Sequence, residues 1–449
     1  MAGLFETRAT SMVSSSMKER DTWGSLHRDV LEKIFYTLMT SIPQAHQMEV
    51  RCTIRKVNKH WCDTFNANVS TIMIHNRRVI ATMAALSHVP ARFPNLKSLH
   101  LECSLRFMKS ATTRESESWS KKLARDIHHI VSCSEHLQEL NLGGTDVIRD
   151  NASRFIASLS TNTSITKLNM GFTRLRGSAA AAIGATIKNN RSLKQLILFG
   201  NDMCVRSLKP IADGLMGNDS ITQLMLDVNN LGSKGACRIA AVLASNQTLE
   251  VLDLSKNMVE SIGAAALGHA LAHNDTLKRL ELGRNVIDDE GGCSLASGLC
   301  SNVSLRTLNL NRNLLGCKTM LCFGSCLEVN EGLVELDLGG NLIDDQHGLL
   351  VINGLKKNST LQTLRLADNL LGVRSSMALR EALMVNWVLH NLDLGENCVG
   401  SVGAALLMDG LKKNTTLRKI NLEGNNVGCD MKFELKMYQT SRTELDIHL

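Results

Sequence analysis

Leu277-Lys278-Arg279-Leu280-Glu281-Leu282-Gly283-Arg284-Asn285 places apolar side chains at its first, fourth and sixth positions and an asparagine at its ninth. The pattern also begins at Leu137, Ile165, Leu193, Ile221, Leu249, Leu305, Leu333, Leu361, Leu389 and Leu417, so that it restarts every 28 residues without a slip. The asparagine returns at Asn201, Asn229, Asn257, Asn313, Asn341, Asn369, Asn397 and Asn425, while the first two units carry Thr145 and Thr173 there. A fixed period of this length means one supersecondary unit stacked on copies of itself.

Inside the unit the spacing changes from two to four. Leu252 and Leu254 alternate as in a strand, and Val259, Leu267 and Leu271 follow Asn257, the last two falling on one face of a helix. Each unit therefore reads as strand, loop and helix, with apolar edges that only neighbouring copies can bury. The motif asparagine is expected to bond backbone groups of the turn that leaves the strand. A second asparagine stands three residues before each new unit, from Asn162 and Asn190 to Asn386 and Asn414. It is expected at the helix end, where the left-handed conformation is tolerated. Sequons such as Asn246-Gln247-Thr248 and Asn358-Ser359-Thr360 fall at this junction. The repeat explains them without any sugar.

These units resemble the ribonuclease-inhibitor class of leucine-rich repeat, whose motif reads LxxLxLxxN ahead of a helix. The resemblance covers about two thirds of the chain. It implies an α/β solenoid bent into a horseshoe, with parallel strands on the concave face and helices on the convex one. Such a frame hosts many partners, so function has to be sought in particular side chains.

Composition narrows the class. The chain has 449 residues, 44% of them hydrophobic, and only four prolines. A repeat array of this size grows in one dimension and needs no single globular core. The net charge of +7 comes from interspersed signs, and no basic stripe is interleaved with aromatics. Nucleic acid is therefore not favoured as a partner. No apolar run approaches the ~20 residues of a membrane span. The opening MAGLFETRAT lacks the apolar centre of a secretory signal, and the chain is expected in the cytoplasm or nucleus. The thirteen cysteines are scattered, and Cys317, Cys322 and Cys326 match no zinc spacing, so packing is expected of them.

Ahead of the repeats the periodicity is helical. Residues 1–21 show none and read as a flexible leader. Leu26, Val30, Leu31, Ile34, Phe35 and Leu38 line one helix face, and Val50, Ile54, Val57, Trp61 and Phe65 line a second, with a turn around Pro43. Two short amphipathic helices need a surface to pack on. The stretch Trp23 to Phe35 and the stretch Arg55-Lys56-Val57-Asn58-Lys59-His60-Trp61 resemble the opening and close of an F-box. His27 stands where that family has proline, and Asn58 where it has cysteine. The resemblance implies docking on the Skp-type adaptor of a cullin ubiquitin ligase through Leu26, Val30, Leu31, Ile34 and Trp61.

Residues 68–95 are expected to continue as a helix around Val79, Ile80, Met83 and Leu86 until Pro90 and Pro94 stop it. Leu96, Leu99 and Leu101 open a degenerate first repeat of 41 residues, whose excess at Lys109 to Lys122 is expected to project as a loop. The expected organisation is a leader at 1–21, an F-box-like helical module at 22–95, a solenoid at 96–428 and a C-terminal cap at 429–449.

No catalytic constellation is present, and neither a Gly-rich phosphate loop nor a paired-histidine zinc motif occurs. Function is therefore expected on the exposed positions of the concave strands. Phe172, Ile197, Phe199, Met225 and Val228, from three successive units, are expected to form one apolar patch for a protein target. Later units carry charge instead, with Asp253, Glu281, Asn309, Asp337, Arg365 and Asp393 in one row and Lys256, Arg284 and Arg312 beside it. The favoured function is a substrate-recognition subunit of a cullin-type ligase, which needs no cofactor and does no chemistry itself. The alternative is an intracellular scaffold or regulator without the ligase, including one like a GTPase-activating protein.

Overall fold

The computed structural model describes residues 66–74, 86–101, 113–145, 151–175, 177–341 and 343–449, and for 113–119 the backbone alone. Fourteen strands, from β1 (Thr71–Ile74) to β14 (Asp446–His448), form one parallel sheet in sequence order. Helices alternate with the strands along the chain, giving an α/β solenoid. The register is fixed by the repeat, because equivalent leucines such as Leu252, Leu280, Leu308 and Leu336 face one another across successive strands. All four are fully buried. Parallel strands lie about 4.8 Å apart, whereas packed helices need about 8–10 Å. The stack therefore bends with the sheet on its inner, concave side.

Two ladders of asparagine hold the coils together. Asn257 Nδ2 donates to Leu254 O in its own turn at 3.1 Å and to Leu226 O of the preceding coil at 2.9 Å. Its Oδ1 accepts from Leu231 N–H at 3.4 Å. The reach into the preceding coil goes beyond the local turn bond expected of this residue. Thr173 offers one hydroxyl in place of two amide protons; that hydroxyl lies 2.7 Å from Met170 O and 3.2 Å from Asn201 Oδ1 of the next coil. Thr145 likewise bonds Leu142 O.

The junction asparagines form the second ladder. Asn190 Nδ2 reaches Leu159 O at 2.7 Å and Asn162 O at 2.9 Å, while its Oδ1 accepts from Leu193 N–H at 2.7 Å. Its φ is −77°, not left-handed as expected, because the side chain must point into the gap between coils. From Asn190 to Asn414 these asparagines are buried, Asn246, Asn274 and Asn302 among them, which keeps their sequons from solvent.

The ends depart from the sequence reading. β1 lies in the stretch 68–95 that was expected to be helical; Val69, Ile72 and Ile74 repeat the strand pattern one unit ahead of Leu96, and β1 pairs with β2 (Ser98–Leu101). Pro90 does not stop a helix but stands in the first turn of one, Val89–Arg92, where its missing N–H costs nothing. Val79, Ile80 and Met83 lie outside the described residues. The excess of the first repeat is not a projecting loop from Thr113 onward. It is a helix, Thr113–Cys133, with Leu123, Ile127 and Ile130 buried on one face. At the other end, Arg442 takes the place of a junction asparagine, donating to Leu411 O at 3.1 Å and to Leu417 O at 2.7 Å. Leu445 is buried there, while Phe433 is exposed.

Candidate partner-binding surface

In all eleven regular units the residue before the motif asparagine or threonine is left-handed, among them Gly144, Phe172, Gly200, Val228, Lys256 and Arg284. The chain turns there from strand to loop, so that this residue and the one after the asparagine point to solvent while the asparagine points inward. Phe172 at φ 53° and Val228 at φ 54° are costly in this conformation, by about 1–2 kcal/mol each. Glycine would avoid the cost. Two bulky apolar residues therefore stand at the concave edge against the local preference of the backbone.

The mid-strand row has a structural duty of its own. Asn169 Oδ1 accepts from Gly171 N–H at 2.9 Å, Asp253 from Ser255 at 2.8 Å, Asn309 from Asn311 at 2.8 Å and Asp337 from Gly339 at 2.9 Å. Each carboxylate or amide thus clamps the turn that leaves its strand. Ile197 and Met225 occupy the same place, facing each other between β5 (Gln195–Ile197) and β6 (Gln223–Met225), and can offer no such acceptor. Two adjacent units have exchanged a turn clamp for an apolar surface.

The aromatic pair completes this surface. The rings of Phe172 and Phe199 meet edge to face with centroids 4.9 Å apart. Each lies where the other's neighbour is glycine: a Cβ on Gly200 would stand 2.3 Å from Phe172 Cε1, and one on Gly171 would stand 2.3 Å from Phe199 Cε1. Any other residue at either position would displace a ring. Phe172 is 48% exposed, and Ile197, Phe199, Met225 and Val228 are half-buried. The structure thus brings the five residues singled out in the sequence onto three neighbouring units.

Asp227 borders the patch and was missed in the sequence. Burial first, and then the Asp253 carboxylate, push its carboxyl up to about 6 against the opposing pull of Lys256. Nothing in its spacing separates it from a solvated acid, since the effect comes from the neighbouring unit. The charged later units are less open than expected. Arg279 pairs with Glu281 at 2.7 Å, Arg365 pairs with Glu335, and Arg312 crosses Gly340 to reach Asp368 at 3.4 Å. Among the described residues Lys256 and Arg284 make no ion pair.

Of the three cysteines singled out, Cys326 is buried, Cys322 is half-buried and Cys317 is exposed. Burial pushes the Cys326 thiol up, which suits a packing role for that side chain. Leu26, Val30, Leu31, Ile34 and Trp61 lie outside the described residues. No described helix is long and apolar enough to cross a membrane.

The family model for the leucine-rich repeat matches residues 245–268, 273–296 and 413–428. The chain is built of leucine-rich repeats. No curated protein matches the sequence. Among solved structures, an internalin (inlF) from Listeria monocytogenes str. 4b F2365 is 17% identical with a TM-score of 0.50, covering 86% of this chain and 88% of its own. The yeast complex of Rad7 and Elc1 is 15% identical with a TM-score of 0.45, covering 96% of this chain and 95% of that one. At 17% identity the likeness to the internalin is one of fold.

Proposed function

We propose that the chain is a protein receptor that holds its target on the concave face of the early leucine-rich repeats, with Phe199 at the centre. The observation that carries this reading is the exchange at Ile197 and Met225. An ordinary unit of this chain places a hydrogen-bonding side chain there, and these two units place apolar ones beside an aromatic pair seated on glycines. Aromatic anchors at the centre of an interface are worth about 2 kcal/mol or more, and exposed rim charges under about 1 kcal/mol. The F-box-like segment with Leu26, Val30, Leu31, Ile34 and Trp61 supplies the second half of the reading, docking on a Skp-type adaptor so that the bound target is presented to a cullin-type ubiquitin ligase. Catalysis then belongs to other subunits.

The two halves separate experimentally. Affinity capture with the full chain, compared with its Phe199→Ser variant at equal melting temperature, should lose the target at least tenfold and keep the adaptor. Leu31→Lys should do the reverse. Wild-type chain that retains a target but never captures a purified Skp-type adaptor would leave a scaffold without a ligase role. Phe199→Ser that lowers the melting temperature by several degrees would mean that another part of the chain covers the patch, and the site would be discarded.

A further inference from the structure

A second apolar row runs along the flank of the later units, on the residue that follows the motif asparagine. Met258, Val286, Leu314 and Leu370 are 56%, 41%, 59% and 49% exposed, and Cys398 extends the row as an exposed residue. The early units show that the repeat does not require this, since Arg174, Asp202 and Asn230 occupy the same place and are polar. The backbone beneath the row is tied coil to coil, Val286 N–H to Val259 O at 3.0 Å, Leu314 N–H to Ile287 O at 2.8 Å and Leu370 N–H to Ile343 O at 2.9 Å. Met258, Val286 and Leu314 therefore project at one interval per coil, and Leu370 stands two coils beyond Leu314.

Charge differs on the two sides of this row. Toward the concave face stand Lys256, Arg284 and Arg312, all exposed, and only Arg312 is paired. Toward the helices stand acids, with Glu260, Asp288 and Glu290 exposed and Asp289 half-buried. Asp288 caps its own helix through Glu290 N–H at 3.0 Å, and Asp289 accepts from Gly316 and Thr319 N–H of the next helix, both at 2.9 Å. The row is therefore edged by positive charge on its concave side, at Lys256 and Arg284, and by negative charge on its helix side.

We propose that this flank, from Met258 to Leu370, is a docking surface for an acidic amphipathic helix of a partner protein, lying across the coils with its apolar stripe on Met258, Val286 and Leu314 and its acidic edge toward Lys256 and Arg284. A helix rises 5.4 Å per turn and coils recur about every 4.8 Å at the sheet, opening wider toward the helices. One turn of the partner thus meets one coil, and its side chains at i, i+4 and i+7 fall on Met258, Val286 and Leu314. An extended strand, rising about 3.3 Å per residue with side chains alternating between its faces, would present one every 6.6 Å and lose step within the row. The surface is separate from the concave patch, so it stands or falls independently of the target site proposed above.

The test is a display library of 18-residue peptides with leucine fixed at helical spacing and Asp, Glu, Lys or Arg varied along one edge, selected on the full-length chain. Acidic edges should be enriched over basic ones roughly tenfold. The enrichment should vanish on a chain carrying Met258→Asp and Leu314→Asp, and reverse on one carrying Lys256→Glu and Arg284→Glu. Equal recovery of acidic and basic edges, or recovery unchanged by the Asp substitutions, overturns the proposal. So does either of two controls on Leu314→Asp: a fall in melting temperature of several degrees, which would mean the chain itself covers the row, or the loss of a concentration-dependent dimer in sedimentation, which would make the occupant a second copy.

Discussion

The early units around Phe199 and the later units around Asn285 use one frame and dress it in opposite ways. Between Phe172 and Val228 the concave side is apolar and the flank carries Arg174, Asp202 and Asn230. From Asp253 onward the concave side is charged and partly self-paired, and the flank is apolar. Both regions share the buried leucines and the asparagine ladders, so the difference lies in positions outside that shared frame. Apolar surface at a position that other copies fill with polar residues marks an interface more securely than exposure alone, because the molecule carries its own control. The early region also departs from local backbone and turn preference at the point of interest: Val228 is β-branched in a left-handed position, and Ile197 and Met225 relinquish the turn clamp.

The shared frame is tested first, with the largest effects. Leu280→Asp and Leu196→Asp each bury an unpaired carboxylate between strands and should cost about 4 kcal/mol or more, equally in the two regions. Thermal melts in which one of them resembles wild type would show that the regions do not share one core. Asn257→Ala removes one of the two asparagine donors to each of Leu226 O and Leu254 O, takes the acceptor from buried Leu231 N–H, and should cost about 2–3 kcal/mol. Thr145→Ala removes a single hydroxyl bond to Leu142 O and should cost about 1 kcal/mol. Chemical denaturation that ranks them the other way would place the main ladder at the wrong end.

Acidity separates the regions by sign. Asp227 has a folded-state value of about 6, above the ~3.9 of an unfolded aspartate, so its contribution to stability is present below ~3.9 and is lost as the pH rises through 6. Asp289 is opposite. Burial would raise it, but hydrogen bonds from Thr319, Gly316 and Lys318 outweigh burial and hold it below its ordinary value. Its contribution is present above ~3.9 and is lost as the pH falls through that depressed value. Asp227→Asn should therefore raise the melting temperature by about 2 °C at pH 7.5 and leave it unchanged near pH 4, whereas Asp289→Asn should lower it at pH 7.5 and matter less near pH 3. Calorimetry showing the same sign for both would remove the distinction.

The smallest effect concerns the strained edge. Val228→Gly relieves the left-handed valine but frees the unfolded chain and removes half-buried contacts, so its net change should stay within ~1 kcal/mol, as should that of Lys256→Gly. A loss above ~2 kcal/mol at Val228 alone would make it core rather than surface.

The sequence by itself determined the solenoid. A period that never slips forces every unit into the same register, and Leu252, Val259, Leu267 and Leu271 were legible as core because apolar spacing at two and at four has one burial solution in a stack. It also determined that Phe172, Ile197, Phe199, Met225 and Val228 share neighbouring coils, since residues one period apart become neighbours. Where the period fails, legibility fails with it. The strand at Thr71, whose spacing at Val69, Ile72 and Ile74 is one short copy without the regular period, and the helix from Thr113 were decided by packing on the adjoining repeat. The reach of each asparagine into the preceding coil, the seating of two rings on Gly171 and Gly200, the turn clamp of the mid-strand acids and the raised acidity of Asp227 were likewise decided only by the tertiary structure. Each depends on a distance between side chains of different units, and sequence spacing fixes which units meet but not how their side chains share the space between them.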